Sequence, residues 1–299
     1  VPERDEPEGP ETPEAHGAHE AHREHGKPAR REARGGKEAD RAVPVLMYHA
    51  VARDPDPSTR GLSVTPAAFA GQLEVIAAEG FTPVDTAALA AAWRRGGPLP
   101  RRPVLITFDD GYEGVHRHAL PELARLGFPA TVFVTTGWLR GAYDTGGAPD
   151  TMLDWGQVRE LAAHGVEIGG HSHTHPPLDL VGEETLRREL GLCREIVAAE
   201  LGVPPASFAH PYGHSTRRVR RAVRDAGFAQ ALAVGNDLAR RRQGPYALRR
   251  VTVRRRTGAE EFLRLLHGRE LARNFAVDRC LTKGYAALRA ARRLAPRAG

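Results

Sequence analysis

Cysteine, lysine and long apolar runs are all scarce in this 299-residue chain. Its two cysteines, Cys193 and Cys280, stand far apart without metal-ligand spacing, which excludes a cysteine-based zinc module and gives no support to a disulfide framework. No apolar stretch approaches the length of a membrane span. The charged N-terminus lacks the hydrophobic core of a signal peptide, so none is read there. Val1 stands where a methionine is usual, which fits either a removed upstream segment or an initiation codon read literally as valine. Only three of the 43 basic residues are lysines (Lys27, Lys37 and Lys283), and with abundant alanine that skew reads as GC-rich coding. Arginines crowd positions 217–256 without an interleaved aromatic pattern for stacking on bases. The net charge of +6 is therefore read as peripheral attraction to an anionic envelope, polysaccharide or membrane surface, with no nucleic-acid partner.

What is present falls into three segments. Residues 1–41 are rich in Glu, His, Gly, Arg and Pro without periodic hydrophobics, and read as a disordered low-complexity segment. His16, His19, His22 and His25 recur there every three residues, and a solvated linker explains them better than a metal-gathering tract. Residues 42–268 alternate strand-like and helical patterns. The strands are expected near 43–48, 81–84, 103–108, 130–135, 166–169, 206–209, 229–234 and 249–253. The first helix is signed by Thr65 as N-cap, Pro66 in the first turn and Gly80 beyond its end. A second stripe, Leu186, Leu190, Cys193, Val197 and Leu201, ends at Gly202. Such alternation predicts a parallel α/β architecture, either a barrel or a doubly wound sheet. Residues 269–299 form a basic extension with Leu281, Tyr285 and Leu288 at helical spacing, expected to dock on the domain in preference to a membrane surface.

The chemistry concentrates in two places. Thr107-Phe108-Asp109-Asp110-Gly111 ends an apolar strand, and His171-Ser172-His173-Thr174-His175 follows another. Asp-Asp-Gly alone is an ordinary turn, and His173 is expected to be solvated. Together the pair supplies one aspartate and two histidines for a divalent metal with open positions, plus a second aspartate free to act as a base.

These motifs resemble those of the polysaccharide deacetylases, the NodB-like carbohydrate esterases of family 4. Thr107–Gly111 is similar to their first motif, His171-Ser172-x-x-His175 to their second, and Phe208-Ala209-His210-Pro211-Tyr212-Gly213 to their third. The resemblance spans roughly residues 43–255 and implies a distorted, incomplete (β/α) barrel. It implies that Asp110, His171 and His175 would bind the metal, most often zinc, and that Asp109 would be the general base. The Tyr212 backbone N–H would help hold the oxyanion, and Ser172 would orient the histidines from within its loop. An extracellular or cell-envelope setting is also implied by the family.

Two positions depart from the pattern. Ala209 stands where an arginine usually pairs with the catalytic aspartate; Arg249 or Arg250 is a candidate substitute, although a solvated strand edge is the favoured reading of both. The usual C-terminal Leu-x-His motif is missing, and Leu265-Leu266-His267 lies inside a helical pattern instead. The segment Val45–Val51 resembles the opening strand of the rearranged branch that includes the poly-N-acetylglucosamine deacetylases. There His49 would be the general acid, since an imidazole titrating near neutrality suits protonation of a departing amine. The Tyr143–Pro149 loop is read as a surface loop that could line a substrate groove. The expected activity is removal of acetyl groups from N-acetylated sugars of a polysaccharide or oligosaccharide. O-acetyl ester hydrolysis and a catalytically silent glycan-binding module are the alternatives.

Overall fold

The computed structural model describes residues 41–277. The N-terminal histidine tract, Cys280, Leu281, Tyr285 and Leu288 lie outside them.

Eight parallel strands alternate with helices: β1 (Val45–Tyr48), β2 (Thr82–Pro83), β3 (Pro103–Phe108), β4 (Thr131–Val134), β5 (Glu167–Gly170), β6 (Ser207–Ala209), β7 (Gln230–Val234) and β8 (Leu248–Thr252). Each overlaps the run expected from the sequence. β1 pairs with both β8 and β3, so seven strands close a ring in the order β1-β8-β7-β6-β5-β4-β3. The eighth, β2, distorts it. Leu105 N donates to Pro44 O and Asp109 N to Tyr48 O, so odd-numbered residues of β3 bond toward β1. Val84 N donates to Val104 O on the opposite edge, the same edge that β4 joins only at Thr107 and Phe108. β2 thus wedges in at the start of β3 and splays β3 from β4.

Alternation along the strands sorts two cores. Leu46, Tyr48, Val104, Ile106, Phe108, Val132 and Val134 point outward onto helices, including α1 (Pro66–Ala78), α3 (Leu120–Leu126) and α4 (Trp155–Ala163). Val45, Leu105, Phe133, Ala209, Leu232 and Leu248 fill the ring. Leu89 and Trp93 of α2 (Thr86–Arg95) join that inner cluster, so α2 plugs the N-terminal end of the barrel. Glu167 pins the plug: its carboxylate accepts from Thr86 N at 3.0 Å, from Ser207 Oγ at 2.7 Å and from Thr131 Oγ1 at 3.1 Å. The C-terminal end stays open.

The caps behave as their residue types require. Thr65 Oγ1 accepts from Ala68 N at 3.1 Å, and Gly80 leaves α1 at φ 66°. The long helix α5 (Glu183–Leu201) and α6 (Arg217–Asp225) flank β5 and β6; α7 (Ala259–Leu266) and the short α8 (Leu271–Asn274) follow β8. Leu271 and Phe275 are buried against Val251 and Leu265, so the extension begins by docking on the barrel. None of the described helices is long and apolar enough to cross a membrane.

His210, which follows β6, is buried, with Nε2 3.0 Å from Tyr246 O and no partner at Nδ1. Burial lowers its pKa from the ordinary 6.5 to about 4. The unfolded chain then binds a proton below the ordinary value that the folded chain refuses, so stability is lost as pH falls through that window. The expected loss is about 3 kcal/mol across the window. Urea unfolding of wild type and His210→Gln from pH 7 to 4 checks this: the two stability curves should diverge toward acid, and parallel curves would refute it.

Candidate functional site

Five strand ends build the open mouth of the barrel, where parallel barrels carry their chemistry. Asp109 follows β3 on the ring's inner face, and the register Tyr48↔Phe108 sets His49 beside it. Gly111 and Asp110 both adopt positive φ, at 96° and 75°, which swings the second carboxylate into the same mouth. His171 follows β5, Tyr212 follows β6, and Arg250 projects inward from β8.

The site is built around an ion pair. Arg250 is fully buried and grips Asp109 with both nitrogens, Nη1 to Oδ1 and Nη2 to Oδ2, each at 2.6 Å. Its guanidinium lies 5.6 Å from the Phe133 ring centroid. The expectation that both arginines form a solvated edge therefore fails for Arg250. Arg249 alone is exposed, paired to Asp237 at 2.7 Å. Residues 248, 250 and 252 share the inner face, which a sequence of two adjacent arginines cannot reveal by itself. Burial alone would push the Asp109 carboxyl up, but Arg250 and His171 outweigh it and hold the pKa below the usual carboxylate range.

Beside this pair, ligand atoms of Asp110, His171 and His175 lie within 4.8 Å of one another. Asp110 Oδ1 is 3.3 Å from His171 Nε2 and 3.4 Å from His175 Nε2, yet it is buried without a hydrogen-bond partner. His171 Nδ1 lies 2.8 Å from Ala209 O; its proton belongs there, which leaves the Nε2 lone pair facing the carboxylate. A lone pair opposite an orphaned anionic oxygen calls for a cation between them. One carboxylate and two imidazoles are a donor set suited to zinc, and the residues fit such a metal. Burial first, and then the charge of His171, lowers His175 to about 4, so its imidazole is neutral and able to ligate at neutral pH.

The surrounding groups are distributed as follows. His49 Nδ1 is buried without a partner, and burial lowers its pKa against the pull of Asp110 and Asp109. Ser172 Oγ accepts from His175 N at 3.0 Å. His173 is not a solvated residue: Nδ1 lies 3.0 Å from Thr136 Oγ1, and its carbonyl accepts from Gly137 N at 2.7 Å. Tyr212 turns at φ 57° and is 56% exposed, with its ring centroid 4.7 Å from that of His175, while Trp138 stacks on the same imidazole at 4.7 Å. Gly213 follows because a Cβ there would meet Val234 Cβ at 2.3 Å. The Tyr143–Pro149 loop folds back on Gly137, whose carbonyl accepts from Thr145 N at 2.7 Å. His267 is bound to Glu79 at 2.9 Å, away from the mouth. Trp138 and the Ala209 carbonyl are the contributors that no sequence signal marked.

Removing Arg250 strands a buried carboxylate. Arg250→Ala should cost about 3–5 kcal/mol in urea unfolding, the scale for breaking a buried pair. Arg249→Ala should stay within about 0.5 kcal/mol. Equal effects from the two would contradict the pairing.

Residues 96–231 match the model of the polysaccharide deacetylase family. The Bacillus subtilis (strain 168) protein YxkH is 24% identical over 211 residues, 71% of either chain. The poly-beta-1,6-N-acetyl-D-glucosamine N-deacetylase of Escherichia coli (strain K12) is 31% identical over 135 residues, 42% of this chain but only 20% of that relative's length. The solved structure of IcaB from Ammonifex degensii is similar at 26% identity with a TM-score of 0.64, covering 76% of this chain and 96% of that one. With the motif residues gathered at one barrel mouth and this pattern of likeness, residues 96–231 form a polysaccharide deacetylase domain, and the homologues that share it are hydrolases acting on N-acetyl amide bonds.

Proposed function

We propose that this protein is a metal-dependent deacetylase that removes acetyl groups from N-acetylated sugars of a polysaccharide or oligosaccharide. The observation that carries the reading is the Asp110, His171 and His175 cluster with the ion-paired Asp109 at its side. Asp110, His171 and His175 would hold a divalent cation, most simply zinc, which when bound supplies Lewis acidity to a carbonyl and to water.

The chain's own residues do the rest. Asp109 is anionic and fixed by two hydrogen bonds, so it can take a proton from the attacking water without reorienting. The main chain of Tyr212 offers an N–H to the developing oxyanion. His49, which feels both aspartates, is the donor to the departing amine nitrogen; because burial lowers its pKa it must first take up a proton, and the one that Asp109 draws from water is the source the site supplies. The exposed Tyr212 ring offers a sugar an aromatic surface at the rim. The Escherichia coli relative, named for an N-deacetylase of poly-beta-1,6-N-acetyl-D-glucosamine, supports a glycan of that kind as substrate.

An O-acetyl esterase would use the same groups, because both reactions develop charge on the same oxygen. Acetate release from N-acetylglucosamine oligomers and poly-N-acetylglucosamine, with zinc or cobalt supplied, should exceed release from acetylated xylan. Faster xylan deacetylation would replace the reading with the esterase, and no acetate from any substrate would favour a glycan-binding module.

The residues separate by role. Asp110→Ala should lose metal and activity together. Asp109→Asn should keep metal but lose at least ~10²-fold in turnover, the scale for removing a general base. His49→Ala should keep metal and slow amide substrates more than activated aryl esters, because only a poor leaving group needs a proton as it departs. Metal content by mass spectrometry beside paired kinetics distinguishes these outcomes; full activity in Asp109→Asn would refute the mechanism.

A further inference from the structure

The loop that carries both histidines does not hold its shape alone. Between His171 and His175 the chain makes a tight turn in which Ser172 and His175 adopt φ of 69° and 58°. Non-glycine residues avoid that region unless their surroundings impose it. One side of the turn is fixed by the continuation of β4, through Gly137 N to His173 O and Thr136 Oγ1 to His173 Nδ1. Its other side rests on a single carboxylate.

We infer that Glu189, on α5, is the positioning residue of this metal-ligand loop; the inference rests on the metal reading above. Its Oε2 accepts from two consecutive backbone amides, His173 N at 2.9 Å and Thr174 N at 2.8 Å, and its Oε1 accepts from Thr174 Oγ1 at 2.6 Å. Two successive N–H groups converging on one oxygen form an anion-binding concavity. Glu189 is 6% exposed and forms no ion pair among the described residues, so these three donors carry its compensation. A buried carboxylate is costly unless hydrogen-bonded in this way. It sits one helical turn before Cys193, whose Sγ lies against Gly170, so one face of α5 underlies the whole β5-to-loop segment. Removing the carboxylate orphans both amides and lets the turn relax toward ordinary φ, which carries the His175 ring away from Asp110.

Shape, not charge, is what Glu189 contributes. A glutamine can receive both amides on its carbonyl oxygen, while its NH₂ donates to Thr174 Oγ1, so Glu189→Gln preserves the set with one bond reversed. An aspartate keeps the charge but falls one methylene short.

Titrating the metal-free full-length protein with Co²⁺, followed by visible absorption, tests this, with thermal unfolding of the same metal-free samples. Glu189→Ala and Glu189→Asp should bind Co²⁺ about 10- to 100-fold more weakly, the scale for losing a group that orients a ligand. Glu189→Gln should stay within about threefold of wild type by the same measure. Leu190→Ala, a buried truncation at the neighbouring position of the helix, should lower the unfolding temperature yet keep wild-type affinity. Should Glu189→Ala fail to fold, the order of Asp and Gln decides. Wild-type affinity in Glu189→Asp, loss in Glu189→Gln, or an equal loss in Leu190→Ala would each overturn the assignment. Wild-type protein that binds no Co²⁺ would instead remove the metal reading on which it rests.

Discussion

The bidentate pair of Asp109 and Arg250 is the interaction on which the site depends. Both charges are buried, Arg250 completely and Asp109 nearly so, and each is tolerated there because the other is beside it. The pair also requires space that the ring must provide. Arg250 lies over Phe133, and Phe133 fits because β5 carries Gly169 opposite it; a Cβ there would meet the Phe133 ring at 2.5 Å. On β6 the matching inward residue is Ala209, small enough to leave the guanidinium its place. The missing third-motif arginine is thus a relocation of the charge from one strand of the ring to another, and the neighbours have sizes consistent with it.

A second constraint is backbone strain. Asp110, Ser172, His175 and Tyr212 all occupy the left-handed region, and all four border the cluster. At about 1–3 kcal/mol each, such conformations persist only when several contacts over-determine them. Those contacts are visible. Asp110 O accepts from Thr135 N at 3.1 Å, and Leu153 N reaches Gly111 O at 2.8 Å. Ser172 Oγ ties back to His175 N. The sheet ends are therefore rigid where the ligands leave them, and the strain is what turns neighbouring side chains toward a common point.

Much of this was legible in the sequence, and the reason is locality. Strand runs, the Thr65 cap and the two motifs are properties of contiguous residues, and each matches an observed element. What escaped was set across the ring. Arg250 meets Asp109 from 141 positions away, and whether residue 249 or 250 faces inward depends on a register no local pattern states. His173 reads as an idle residue between two ligands until β4 is laid alongside it. The same holds for Glu189, whose helix reads only as an apolar stripe with charges between. Trp138 belongs to a stretch with no periodicity, and its stacking on His175 exists only after that loop has folded back.

The charge balance of the mouth links these parts. Arg250 cancels Asp109, so the residual charge of the protein groups is that of Asp110, faced by two imidazoles. Without a cation the two carboxylates, Asp109 first and then Asp110, raise the pKa of His171 against the desolvation that would lower it, so the site draws a proton to the place where a metal fits. With a divalent cation the same groups would sum to a single positive charge, the sign a developing oxyanion needs. Had the arginine been lost from Ala209 without a replacement on β8, the sum would be neutral and the base unanchored. The position of one buried arginine thus sets both the orientation of Asp109 and the sign of the field in which it works.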